Sequence, residues 1–201
     1  MPAEHYSTKQ PTSRPIQRHF RFNFNDVTFS FASVSGTFSV DGPDTASLLL
    51  LRAVEVSPGE RILDLGCGWG LIGLCLAKTN PVSTVIMADI NERAVAWAEK
   101  NRKINSIENA KVICSDQYEK VQGKFHIILT NPPLHAGKKV CLSMITEAKN
   151  FLQPNGKFYL VARHQKGGRS LSGCMKETFE NVSYIVKKGG VRVYCSVNEA
   201  R

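Results

Sequence analysis

Apolar and polar residues alternate through "FRFNFNDVTFSFAS": Phe20, Phe22 and Phe24 share one face, and Phe29 and Phe31 resume the alternation. A period of two marks a strand with one buried face, and Asn25-Asp26 supplies a turn, so a β-hairpin is expected. After Gly36, "TFSVDGPDTASLLLLRAVE" passes through a turn into an apolar run of helical character. Asp44 is its natural N-cap, because a short carboxylate accepts from the first unpaired amides.

From Arg61 onward the pattern changes. Short apolar runs predict strands near 61–65, 84–90, 111–115, 125–130, 156–162, 182–186 and 191–196. Between them, helices are predicted near 69–79, 92–105, 138–151 and 169–179. Such alternation implies a parallel sheet with helices on both faces. Only "KKGG" separates the last two strands, too short for a crossover, so these two should be antiparallel. The expected fold class is α/β, a seven-stranded, mostly parallel sheet with an antiparallel last strand, preceded by the N-terminal β-hairpin. Residues 1–17, rich in Pro, Ser, Thr and charge, read as a loose arm. Residues 18–201 read as one domain, with 18–40 a β extension and 41–201 the core.

Composition narrows the class. A chain of 201 residues, 42% hydrophobic and 21% charged, can bury an ordinary globular core. Its formal net charge of +9 favours polyanionic partners such as nucleic acid. Six cysteines include no C-x-x-C pair, so no metal site is expected, and free thiols suit a reducing cytosol. The N-terminus lacks an apolar signal core and no run reaches membrane-spanning length. A cytoplasmic protein without a membrane partner is expected.

The candidate chemistry begins at "RILDLGCGWGLIG", which contains G-x-G-x-x-G at Gly68, Gly70 and Gly73. Such a turn lets backbone approach a pyrophosphate at a helix N-terminus. Asp64, just upstream, would repel that ligand and attract a cationic one. S-adenosylmethionine carries an ammonium and a sulfonium. Asp89 and Asp116 end the next two strands, where the sheet's carboxyl ends form a ligand crevice. Asp89 can accept from ribose hydroxyls and Asp116 from an adenine amino group, though a ribose-binding acid serves a nicotinamide cofactor equally well.

In "IILTNPPLHAGK", Asn131 is followed by Pro132 and Pro133. Two prolines fix two φ angles and hold the preceding residue extended. The stiff turn presents the Asn131 side-chain oxygen and the Pro132 carbonyl as two acceptors. Such a pair can grip both hydrogens of an amino group and aim its lone pair at an electrophilic methyl, a catalysis of position.

Together, "LDLGCGWGLIG", "ADI", "SDQY" and "TNPPLHAGK" resemble the class I S-adenosylmethionine-dependent methyltransferases that act on amino groups, whose fold is Rossmann-like. Within them, "FSVDGPDTASLLLL" and "NPPLHAGK" resemble the small-subunit ribosomal RNA guanine-N2 methyltransferases. That resemblance implies S-adenosylmethionine as cofactor, with Asp64, Gly66, Gly68 and Gly70 cradling its methionine end. Asp89 with Ile90 would hold the ribose and Asp116 with Gln117 the adenine, while Asp41, Gly42, Asp44 and Thr45 would help close the pocket. Asn131, Pro132 and Pro133 would form the catalytic turn. Two features depart from the family. Leu134 stands where many members place an aromatic that stacks on the target base, leaving Phe20, Phe22 or Tyr6 as candidates for that role. Bacterial members often carry a second, degenerate domain copy for RNA binding, so here the single domain or a partner is expected to grip RNA.

His135 is a candidate base contact or proton relay, and Lys138 with Lys139 opens a helix where the dipole disfavours cations. Arg163, His164, Lys166 and Arg169 form a basic loop suited to phosphate. Lys187, Lys188 and Arg192 read as ordinary basic surface, and Arg14, Arg18 and Arg21 as a further RNA surface. Rivals to RNA guanine N2 are a protein glutamine or DNA adenine amino group on the same fold, a non-catalytic RNA-binding factor, and a nicotinamide oxidoreductase.

Overall fold

The computed structural model describes Lys9 and residues 16–200. The proposed arm therefore lies almost wholly outside the described residues, as do Tyr6 and Arg14. Lys9 itself touches the fold: its carbonyl accepts from the Glu92 amide at 3.0 Å.

The N-terminal hairpin pairs β1 (Gln17–Phe24) with β2 (Val27–Val34) in antiparallel register. Asn25 and Asp26 both adopt positive φ, as a tight hairpin turn of the mirror-image type requires. The hairpin forms its own two-stranded sheet, and its β2 edge is covered by asparagines. Asn101 Oδ1 accepts from the Ala32 amide at 2.8 Å, and its Nδ2 donates to the Ala32 carbonyl at 2.9 Å. Asn105 does the same for Ser30. Two side chains thus stand in for a strand and leave no bare edge at these positions. The phenylalanine face packs inward. Phe20 lies against Phe31 and edge-on to Trp69, with centroids 6.0 and 5.3 Å away.

The main sheet contains β3 (Arg61–Leu65), β4 (Thr84–Asp89), β5 (Ala110–Cys114), β6 (Phe125–Thr130), β7 (Leu152–Arg163), β8 (Ser183–Lys188) and β9 (Val191–Val197). Their spatial order is β5-β4-β3-β6-β7-β9-β8. β9 inserts between β7 and β8 and runs antiparallel to both; the short connection requires this of the β8–β9 pair. The helices are α1 (Thr45–Ala53), α2 (Leu71–Thr79), α3 (Glu92–Ile104), α4 (Lys138–Phe151) and α5 (Arg169–Phe179). Two apolar clusters, one on each sheet face, bury residues such as Leu74, Ile62 and Val85 on one side and Phe158, Ile145 and Leu160 on the other.

Several element boundaries differ from expectation. α2 starts at Leu71 rather than 69, because Gly68 and Gly70 have φ of 56° and 95°, outside the right-handed helix. β7 begins at Leu152, four residues early, where a register irregularity against β6 admits the extra length. β8 runs on to Lys188, alongside Val191.

The chain runs outward from β3 to β4 and β5, then returns to lay β6 on the other side of β3. A crevice opens at the carboxyl ends where strand order reverses. Asp64 and Leu129 are register partners across that junction. Among the described residues no helix is long and apolar enough to cross a membrane, and no cluster of His, Cys, Asp or Glu could hold a metal ion.

Candidate active site

A cavity of about 390 Å³ occupies the crevice, a size suited to a small-molecule ligand. Its floor is the β3–α2 turn. Gly66 and Gly68 take positive φ, and a side chain at Gly68 would meet nothing within 4 Å, so the space above the turn is open. Gly70, the N-cap of α2 in left-handed geometry, lies outside the lining. Gly73 serves packing: a Cβ there would come within 2.5 Å of Met87 and 3.0 Å of Asp64 Oδ2.

Asp64 is 1% exposed, and its Oδ2 accepts from the Gly73 amide at 2.8 Å. One oxygen therefore caps the first turn of α2, while Oδ1 has no hydrogen-bond partner among the described residues. Burial raises the Asp64 pKa to about 7, against the Gly73 hydrogen bond and with a push from Asp89. Asp89, at the end of β4, accepts from the Gly68 amide through Oδ2 at 2.8 Å and from the Asn91 amide through Oδ1 at 2.9 Å. It too is held above its ordinary pKa, by burial first. Each oxygen keeps a lone pair for a ligand.

Beyond β5, Asp116 is exposed and lines the cavity together with Gln117. Gln117 has φ of 46°, and its Oε1 accepts from Ser143 Oγ at 2.9 Å, which ties the loop to α4. Ile90 lines the same wall.

The opposite wall is the Asn-Pro-Pro turn. Asn131 Nδ2 donates to Ser47 Oγ at 3.0 Å, and Ser47 is held in turn by Asp44, whose Oδ1 accepts from the Ala46 and Ser47 amides. With its amide so oriented, Asn131 Oδ1 carries no hydrogen bond among the described residues, and neither does the Pro132 carbonyl. The Pro133 carbonyl is already used, by the Ala136 amide at 2.8 Å and Cys141 Sγ at 3.7 Å. Asp44 Oδ2 is buried without a partner among the described residues, in a residue that lines the cavity. These are the marks of a site built for a polar, hydrogen-bonding ligand.

Comparison with known proteins identifies the architecture. The methyltransferase small domain profile matches residues 28–195. The chain belongs to that family. It is 37% identical over 191 residues to the uncharacterized protein YbxB of Bacillus subtilis (strain 168), covering 94% of this chain and 95% of that one. It is 34% identical over 174 residues to ribosomal RNA small subunit methyltransferase C of Pseudoalteromonas atlantica, covering 85% of this chain and 50% of that one. A solved structure, the T. thermophilus 16S rRNA N2 G1207 methyltransferase (RsmC) with AdoMet and guanosine, superimposes with a TM-score of 0.80 at 27% identity, over 93% of this chain and 52% of that one. The chain thus spans about half the length of the ribosomal RNA methyltransferases it matches.

The methyltransferase small domain brings ten of the sequence-predicted positions to one cavity: the carboxylates Asp44, Asp64, Asp89 and Asp116, the turn glycines Gly66 and Gly68, then Ile90, Gln117, Asn131 and Pro133. Others lie elsewhere. Asp41 is 87% exposed in its side chain and faces Arg18 at 3.8 Å instead of the cavity. Thr45 is exposed at the first residue of α1, a turn that aims Ser47 rather than Thr45 inward. Pro132 is buried behind the wall, and Leu134, His135 and Lys138 are exposed beside it. Arg163 at the end of β7 and Lys166 just after it are exposed, and the turn they flank meets Leu134 through Gly167, where a Cβ would lie 3.6 Å from Leu134 Cδ2.

Phe20 and Phe22 are committed to the hairpin's buried face, so neither stands free to replace the missing aromatic. Sequence reasoning missed Ser47, Phe38 and Ser39. The last two are drawn to the cavity because Trp69 Nε1 donates to the Phe38 carbonyl at 2.9 Å. A serine one helical turn beyond an N-cap was the available signal for Ser47.

Proposed function

We propose that this methyltransferase small domain transfers methyl from S-adenosylmethionine to an exocyclic amino group, guanine N2 of small-subunit ribosomal RNA. Residues 18–201 act in this reading as one domain, 18–40 as a β extension and 41–201 as the catalytic core. The observation that carries it is the unclaimed acceptor Asn131 Oδ1 on a wall facing three strand-end carboxylates, with the Pro132 carbonyl next to it in the same turn.

The residues present fit the cofactor. Asp64 Oδ1 and the orphan Asp44 Oδ2 can meet cationic or N–H-bearing groups, the open space over Gly68 admits the methionine portion, Asp89 suits a ribose diol and Asp116 an adenine amino group. S-adenosylmethionine supplies an electrophilic methyl when bound. The chain's part is positional. Asn131 and Pro132 take the two amino hydrogens and direct the nitrogen lone pair inward. No strong base is needed, since the methylated ammonium is acidic and gives up its proton to water. The RNA substrate is supported by the likeness to the T. thermophilus enzyme, solved with AdoMet and guanosine, and by the net charge of +9.

The test is radiolabelled methyl transfer to unmodified small ribosomal subunits, with RNA and protein then separated and digested. Label in N2-methylguanosine is the expected result. Label in protein glutamine would keep the mechanism and overturn the substrate; no label despite cofactor binding would overturn catalysis on this target.

A further inference from the structure

The fold sets two cations against one exposed aromatic ring. Lys187 and Arg192 are cross-strand partners on β8 and β9. Both approach the Tyr184 ring, Lys187 Nζ at 4.9 Å and the Arg192 guanidinium at 5.5 Å from its centroid. Tyr184 stands edge-on to Tyr194 at 5.3 Å, and the Tyr194 hydroxyl meets His164 Nδ1 at 2.9 Å. His164 opens the turn after β7. Its pKa is lowered by desolvation and then by the cations Arg192, Arg169 and Lys187.

Neither Lys187 nor Arg192 has a carboxylate partner among the described residues. Converging like charges repel, and an anion resting on them removes that cost. Tyr184 is 43% exposed and offers a π surface among the charges. The cluster also adjoins the reaction site. Gly167, in the turn that His164 opens, lies against Leu134 of the Asn-Pro-Pro-Leu turn. A strand with its target base at Asn131 would pass over this turn toward β8 and β9.

We propose that Lys187 and Arg192 bind the phosphate backbone of the RNA strand flanking the target nucleotide, and that Tyr184 stacks on a neighbouring base. This rests on the ribosomal RNA reading above. A single-stranded polyanion with exposed bases satisfies both the charges and the ring. The β8–β9 pair then supplies grip within the same domain that holds the cofactor.

The experiment uses the full chain, a short fluorescein-labelled guanosine-containing single-stranded RNA, and anisotropy over a salt series. For a single strand each lost phosphate contact lowers the slope of log affinity against log salt by about 0.7, so the Lys187→Gln, Arg192→Gln double variant should lose about 1.4. Tyr184→Ala should weaken binding roughly five- to a hundredfold while keeping the slope. S-adenosylmethionine affinity should stay at the wild-type value in both, which certifies the fold. A wild-type slope in the double variant overturns the proposal and leaves the ribosomal RNA reading standing. Competition by polyglutamate but not by unlabelled RNA reassigns the surface to an acidic protein and overturns it as well. A wild-type chain that neither binds the RNA nor methylates ribosomal RNA overturns the underlying reading first.

Discussion

Asn131 and Ser47, 84 residues apart in the chain, are joined by one hydrogen bond of 3.0 Å from Nδ2 to Oγ. An amide has a donor end and an acceptor end, so fixing the first decides where the second points. Ser47→Ala releases that choice without touching the Asn-Pro-Pro backbone. A neutral hydrogen bond contributes about 0.5–1.5 kcal/mol, so turnover should fall roughly two- to tenfold with cofactor affinity unchanged. Ser47→Thr should restore most of it, whereas Asn131→Ala should abolish transfer. Single-turnover rates beside calorimetric cofactor affinities separate these outcomes; full activity in Ser47→Ala would show that the turn orients Asn131 unaided.

Asp64 makes the cofactor-free protein sensitive to pH. Its pKa rises from 3.8 to about 7 on folding, so the folded chain keeps a proton that the unfolded chain releases. That contribution to stability is complete below about pH 4 and is lost as pH rises through about 7. Asp64→Asn keeps an acceptor for the Gly73 amide and should flatten this decline, leaving the part owed to Asp89, also raised. Urea midpoints across the range measure it. A cationic ligand at Asp64 should expel the proton. Calorimetry in buffers of differing protonation heat should therefore find proton release in the wild type and less in Asp64→Asn; equal release in both would place the cation elsewhere.

Asp89→Ala removes two things together, the carboxylate that faces the cavity and the acceptor that holds the Gly68 and Asn91 amides. Hydrogen bonds to a charged group contribute about 1.5–3 kcal/mol, so cofactor dissociation should rise roughly ten- to a hundredfold or more. The melting temperature should drop in the absence of cofactor too, because the glycine turn loses its anchor. Weaker binding with an unchanged melting temperature would mean that the turn stands without Asp89.

Gly73→Ala tests the third glycine of the turn. The added methyl meets Met87 and the Asp64 carboxylate, and something must shift to admit it; the expected shift is of α2 off β4. Overpacking of this kind costs about 1–3 kcal/mol. Denaturant titration should show it, along with weaker cofactor binding as Asp64 shifts. A stability equal to wild type would show that the Met87 side chain swings clear.

The hairpin, the strand series, the glycine turn with its acids and the Asn-Pro-Pro turn were legible in the chain, because each is a local matter of period, turn chemistry or fixed φ. The antiparallel setting of β9 against β8 followed from a short loop alone. Tertiary structure decided the rest. It set Ser47 behind Asn131, drew Phe38 and Ser39 to the cavity through Trp69, turned Asp41 toward Arg18, and joined Lys187 and Arg192 to the turn at His164. Each of these depends on strand order, above all the return of β6 to the side of β3, and strand order is chosen by the burial of whole faces rather than by any local run of residues.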